Sequence, residues 1–400
     1  MEGTAHLVDV AHFFYILFVV LVAAKLAGEL FERIGQPAVL GELVAGVVLG
    51  SSMLGVVPVD PNDPYGSIVH VMAEIGVAIL LFEIGLETDL REMFKVGSAA
   101  FMVAVVGVML PFAFGYLFWR MYMNDASLVA IFVGATLTAT SVGITARVLA
   151  DIGKIHTSEA RIIIGAAVID DILGLLILAT VEGLAETGQV SVAGVAKLFG
   201  LALGFLAAAM AVGLLTARPL FELVNRMRVR GIIVTAALAF ALLLAYLADG
   251  VGLAPIVGSF AAGLILSRTN QFDTIVGRIK PVADVFTPLF FVSVGAAVDV
   301  TILDPRDPTN HEILILGGAL FVIAVLGKIA AGFGVIWRKV NRLAVGMGMV
   351  PRGEVGLIFA QLGLLAGILS QDVFSALLIM VMGTTLMTPP LLKLLFQRSE

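Results

Sequence analysis

The sequence predicts an all-α polytopic membrane protein of about thirteen transmembrane helices, built as an inverted repeat with two broken helices that cross near mid-membrane. Three observations predict it. Apolar runs of about 18–25 residues, each able to cross a hydrocarbon layer of about 30 Å, recur from one end of the chain to the other. With 60% hydrophobic residues, 14% charged residues and a mean hydropathy of +1.07, the composition is far from that of a soluble domain. Finally, Gly35 to Gly50, GQPAVLGELVAGVVLG, returns as Gly252 to Ser267, GLAPIVGSFAAGLILS, with Gly41 matching Gly258 and Ala45-Gly46 matching Ala262-Gly263.

In order, the apolar runs occupy 10–32, 37–54, 68–88, 96–121, 126–149, 158–184, 192–216, 231–248, 253–267, 284–300, 313–337, 343–366 and 372–395. The N-terminal MEGTAHLVDVAHFF is acidic and lacks the positive region of a secretory signal, so the first run is expected to persist as a helix. Alternate connections carry the basic residues: Arg33; Arg91 and Lys95; Arg147, Lys154 and Arg161; Arg218 to Arg230; Arg268 to Lys280; Arg338 to Arg342; Lys393 and Arg398. The positive-inside rule then puts the N-terminus outside and the C-terminus inside. The opposite connections, such as VDPNDPYGS, read as short solvated turns. No run leaves room for a soluble regulatory domain. The formal charge of −6 and the scattered basic residues give no nucleic-acid surface. Absence of cysteine excludes disulfides and thiolate chemistry.

The repeat places spans one to six and eight to thirteen in two halves joined by span seven. An offset of seven spans inverts one half against the other. A weaker match pairs Gly85 and Asp89 with Gly295 and Asp299. Inverted repeats are typical of secondary transporters, whose sites lie where discontinuous helices cross. Span five, with GATLTATSVGIT, and span twelve, with GMGMVPRGEVGLI, are the matched pair with helix-breaking sequence at mid-depth.

Candidate chemistry centres on Asp170 and Asp171, in the middle of the apolar run Ile162 to Val181. A carboxylate at the centre of a spanning helix costs roughly 2.5–3.5 kcal/mol on insertion scales, so it faces a cavity, a partner charge or a transported ion. Adjacent helical positions point about 100° apart, which lets the two serve different neighbours. Lys328, deep in LFVIAVLGKIAAGF, needs a partner for the same reason. Thr140 and Ser141 offer oxygens to a hard cation, or ordinary helix-helix hydrogen bonds. Glu354 and Arg352 pair with each other or with the core. Glu74 and Glu83 could line an access funnel, while Glu29, Glu32 and Glu87 read as interfacial. The five histidines show no metal-ligand spacing.

VIDDILGLLIL, the preceding ATSVGITARVL, the intramembrane Lys328 and RGEVGLIFAQLG together resemble the NapA-type sodium/proton antiporters of the second monovalent cation:proton antiporter family. The likeness covers essentially the whole chain. It implies an antiporter, not an enzyme, needing no cofactor and exchanging Na⁺ or Li⁺ for H⁺ by an elevator-like, electrogenic cycle. It also implies a homodimer in a prokaryotic cytoplasmic membrane, surrounded by lipid. The implied domains are 1–95 and 231–305 for dimer contacts, 96–185 and 306–400 for a mobile core, and 186–230 for a linker helix. Asp171 would bind the ion, Asp170 would pair with Lys328, and Thr140, Ser141 and Glu354 would support or ligate the cation. Two alternatives stand beside this reading. One is K⁺/H⁺ exchange or K⁺ efflux within the same fold. The other is an intramembrane aspartyl protease, which needs carboxylates facing each other from separate helices and which the adjacent pair does not supply.

Overall fold

The computed structural model describes residues 9–60, 63–88, 90–123, 128–187, 192–304, 306, 310–353, 356, 359–360, 363–364 and 367–397. Its long helices are α1 (Val10–Arg33), α2 (Ala38–Leu49), α3 (Pro64–Glu87), α4 (Leu90–Met123), α7 (Ser158–Thr187), α8 (Val192–Asn225), α9 (Ile232–Asp249), α10 (Pro255–Leu266), α11 (Phe272–Ala296), α12 (Asn310–Ala331) and α14 (Gln371–Gln397). Three shorter ones, α5 (Leu128–Thr136), α6 (Val142–Asp151) and α13 (Arg342–Gly348), belong to the interrupted spans. Past α13 the chain is non-helical from Val350 through Gly353, and the described positions among 356–364 are helical. Among the described residues, eight helices are long and apolar enough to cross a membrane.

The sequence repeat is also a repeat of packing. In α2, a Cβ on Gly41 would stand 2.4 Å from the carbonyl oxygen of Ala27 in α1; in α10, a Cβ on Gly258 would stand 2.1 Å from that of Leu244 in α9. The matched glycines therefore permit the same backbone contact in each half. Gly46 of α2 meets Gly295 of α11, and Gly263 of α10 meets Gly85 of α3, so α2 and α10 each cross a helix of the other half. Small residues let membrane helices approach this closely where no hydrophobic driving force separates protein from lipid. Asp89, half of the weaker sequence match, lies outside the described residues.

Two groups of helices result. Helices α1, α2 and α3 pack with α9, α10 and α11, whereas α4 to α7 pack with α12 to α14. One apolar cluster joins the groups: Leu43, Val77 and Leu80 from the first meet Val103, Ile144 and Ile163 from the second. Helix α8 lies against α7, α9 and α10, with Leu215 and Leu223 exposed. The apolar-run borders lie within a residue of the helix ends at α1 and α9. They fail at α11, which begins at Phe272 and not near 284, because GRIKPVAD continues the helix beyond the apolar stretch.

Candidate ion site at the helix crossing

Helix α5 ends in a tight turn. Leu137 N still donates to Val133 O, but Thr138 N and its hydroxyl both turn back to Ala135 O, three residues earlier, in place of the next four-residue ladder bond. After the turn at Leu137 and Thr138 the chain is non-helical to Ser141, itself extended (φ −89°, ψ 103°), and α6 begins at Val142. In the second broken span, Pro351 lacks an N–H and biases Val350 away from helical geometry, so α13 cannot run on.

These interruptions lie against each other. Ser141 N donates to Pro351 O (2.8 Å), Thr145 Oγ1 to Gly348 O (2.6 Å) and Thr140 Oγ1 to Met349 O (3.3 Å). A Cβ on Gly353 would come 2.8 Å from Ser141 Oγ, so glycine sets how closely the strands of the crossing pass. Arg352, fully buried, donates to Val350 O, to Leu137 O (2.6 Å) and to Ala324 O (3.4 Å). Its guanidinium thus satisfies the carbonyl ends of both α5 and α13, where helix dipoles concentrate negative charge. The hydroxyl of Thr385 in α14 donates to Arg352 O and ties that helix to the crossing.

Beside the crossing stand the sequence candidates. Lys328, with no exposed surface, places Nζ 3.1 Å from Asp170 Oδ1 and 3.2 Å from Oδ2. Gly107 of α4 packs beside this side chain: a Cβ there would stand 3.6 Å from Nζ, at ordinary contact distance. Asp170 also lies within hydrogen-bonding reach of Thr140 Oγ1, as an alternative to Met349 O for its single hydroxyl hydrogen. Asp171, 7% exposed, sits next to the pair and acts electrostatically on Lys328. Asp170, Asp171, Lys328, Thr140 and Ser141 are therefore gathered at one place, all buried. Glu354 lies outside the described residues.

Sequence reasoning passed over two residues. Glu42 in α2 is 1% exposed, though its single acidic letter in an apolar run carried no motif. Arg147 counts in the sequence only as a basic residue near the inner end of span five, but it is largely buried on α6, with Nε 3.0 Å from Asp151 Oδ1. Helical spacing from Ser141 would have placed Arg147 in the same buried half-helix. Between the groups, at the end bearing Lys154 and Lys393, opens a cavity of about 330 Å³ lined by Glu32, Gln36, Asp151, Lys154 and Lys393. Towards the other end, Leu43, Val298, Leu378 and Thr385 enclose only about 20 Å³.

Comparison with known proteins adds the family. The model for the transmembrane region of sodium/hydrogen exchangers matches residues 16–398. The chain is 42% identical to the high-affinity Na⁺/H⁺ antiporter NhaS3 of Synechocystis, over 96% of this chain and 90% of the relative. It is 37% identical to the Na⁺/H⁺-K⁺ antiporter GerN of Bacillus cereus, over 96% of each. Among solved structures, the sodium proton antiporter MjNhaP1 of Methanocaldococcus jannaschii has the same fold, with a TM-score of 0.73 at 18% identity over 98% of this chain and 96% of that one.

Proposed function

Since the chain belongs to the sodium/hydrogen exchanger family of integral membrane transporters, we propose that it exchanges Na⁺ or Li⁺ for H⁺ by alternating access, with Asp171 as the common site for cation and proton. The observation that carries this reading is the buried carboxylate pair beside two broken helices, with Asp170 held by Lys328 and Asp171 adjacent to it in the same helix. A carboxylate removed from water is stabilised by either a proton or a metal ion, so the two compete. Thr140 and Ser141 stand where hydroxyl and carbonyl oxygens could complete a cation shell, with Glu354 as further support.

In this cycle Asp170 stays with Lys328 while Asp171 carries a proton. Sodium displaces that proton, and attraction of Asp170 towards the ion loosens Lys328, which can release a second. Two protons against one sodium move one net charge, worth about 2.3 kcal/mol per 100 mV. The moving body is α4 to α7 with α12 to α14. It slides against α1 to α3 and α9 to α11, which also carry the homodimer contact, and α8 links the two. The wide cavity at the end bearing the basic connections and the narrow slit opposite support an inward-facing conformation, with the N-terminus outside. A prokaryotic cytoplasmic membrane is the expected location.

A second reading, in which K⁺ is also carried, is favoured by the likeness to GerN, a Na⁺/H⁺-K⁺ antiporter. Proteoliposomes with a pH-sensitive dye inside separate the readings. Pulses of Na⁺ and Li⁺ should dissipate an imposed pH gradient, with K⁺ much weaker. A K⁺ response equal to that of Na⁺ would favour the second reading, and no response to any of the three would overturn both.

A further inference from the structure

Glu42 is a buried carboxyl group whose Oε2 has no hydrogen-bond partner among the described residues. The groups acting on it are Arg147 and Asp151 of α6, Lys25 of α1 and Asp284 of α11, with Arg147 foremost among the cations. Arg147 in turn lies within electrostatic range of Asp151, Glu42, Glu83 of α3 and Asp284. Its close ion pair is nevertheless with Asp151, one turn along its own helix. An unsatisfied carboxylate in a packed interior is destabilising, so a chain that keeps one gains from it in some other arrangement.

Glu42 cannot reach such an arrangement alone. The adjacent Gly41 locks α2 to the backbone of α1, and Gly46 locks it to α11, each at a separation that leaves no room for a Cβ. Arg147 and Asp151, by contrast, travel together on α6, which also touches α2. Displacement of α6 along α2 would carry the guanidinium past a stationary Glu42. Asp151 lines the wide cavity and so stands where the present opening would close.

We propose that Asp151 and Glu42 are alternative partners of Arg147: Asp151 holds the guanidinium in the conformation described, and Glu42 takes it when α6 shifts to the opposite-facing state. Glu42 is then a positioning residue that favours the opposite-facing state, and Asp151 one that favours the present state. The proposal rests on the alternating-access reading.

The absence of native cysteine allows a direct test. Gln36→Cys puts a single thiol on the cavity wall, and its reaction with a membrane-impermeant maleimide, in proteoliposomes labelled from the cavity side, reports how often the cavity is open. In this parent the rate should change with Na⁺ and pH. Adding Glu42→Gln should raise the rate by roughly threefold or more, and adding Asp151→Asn should lower it by a similar factor, as expected for opposite biases on one equilibrium. Glu42→Asp should return it towards the parent, and Glu42→Gln should lower maximal transport with little change in the KM for Na⁺. Shifts in the same direction, or no shift in a parent that still responds to Na⁺, would overturn the exchange of partners while leaving alternating access intact. A parent indifferent to both Na⁺ and pH would overturn alternating access itself, and this proposal with it.

Discussion

At Lys328 the decisive quantity is burial. The Lys328 amine has no exposed surface and lies 3.1 Å from Asp170, and neither member of the pair has water to fall back on. Removing one partner of such a pair costs about 3–5 kcal/mol, because the other is left charged and buried. Lys328→Gln should therefore lower the thermal unfolding temperature markedly. Under the proposed cycle it should also lower the transport current per sodium moved, measured on a solid-supported membrane. Full wild-type current per sodium would make Lys328 structural only. Asp171→Asn is expected to behave in the opposite way, leaving the unfolding temperature little changed while abolishing coupled exchange in proteoliposomes. Retained exchange would remove Asp171 from the ion site. Arg352 is a third case, because its partners are the carbonyls of Leu137, Val350 and Ala324. Lysine has no planar fork with which to reach several carbonyls at once. Arg352→Lys should consequently lose about 1–3 kcal/mol of stability in thermal unfolding, the cost of carbonyls left unsatisfied; an unchanged transition would mean water replaces the guanidinium.

Among the elements, the glycine crossings carry the architecture. Gly41 and Gly258 make the same contact in the two halves, so Gly41→Val and Gly258→Val should each force helices apart and cost about 1–3 kcal/mol or more. Unchanged thermal stability in either variant would show that the crossing has slack. This feature was readable in the sequence because glycine weakens a helix, and its recurrence at fixed offsets in two apolar runs marks places where backbones must approach closely. The breaks in spans five and twelve were readable for a related reason: Thr, Gly and Pro cluster where a spanning helix needs its backbone bonds most. What pattern could not give was partners. Arg352 bonds carbonyls, which every residue has, so no complementary letter marks it. Glu42 and Arg147 lie far apart in sequence and come together only when α2 and α6 pack. The start of α11 was missed because an apolar run measures hydrocarbon thickness, whereas a helix continues as long as its backbone bonds are met.

For the whole molecule, one body of helices lies against another, with a wide polar cavity at one end of their boundary and a nearly closed slit towards the other. Asp170 and Asp171 stand in the body that contains both broken helices, so any sliding of that body would carry the site with it. Lys328 was legible as a charge in need of a partner, and the fold supplies one on a neighbouring helix 158 residues distant in sequence. The central claim is that proton and sodium compete for one carboxylate site within this body. The most direct measurement is the KM for Na⁺ in proteoliposomes across a range of pH, read as transport current or as proton flux. Competition predicts that KM rises as pH falls, by up to about tenfold per pH unit for each proton displaced, while the maximal rate at saturating sodium stays nearly constant. A KM independent of pH, with the maximal rate alone falling in acid, would contradict a shared site.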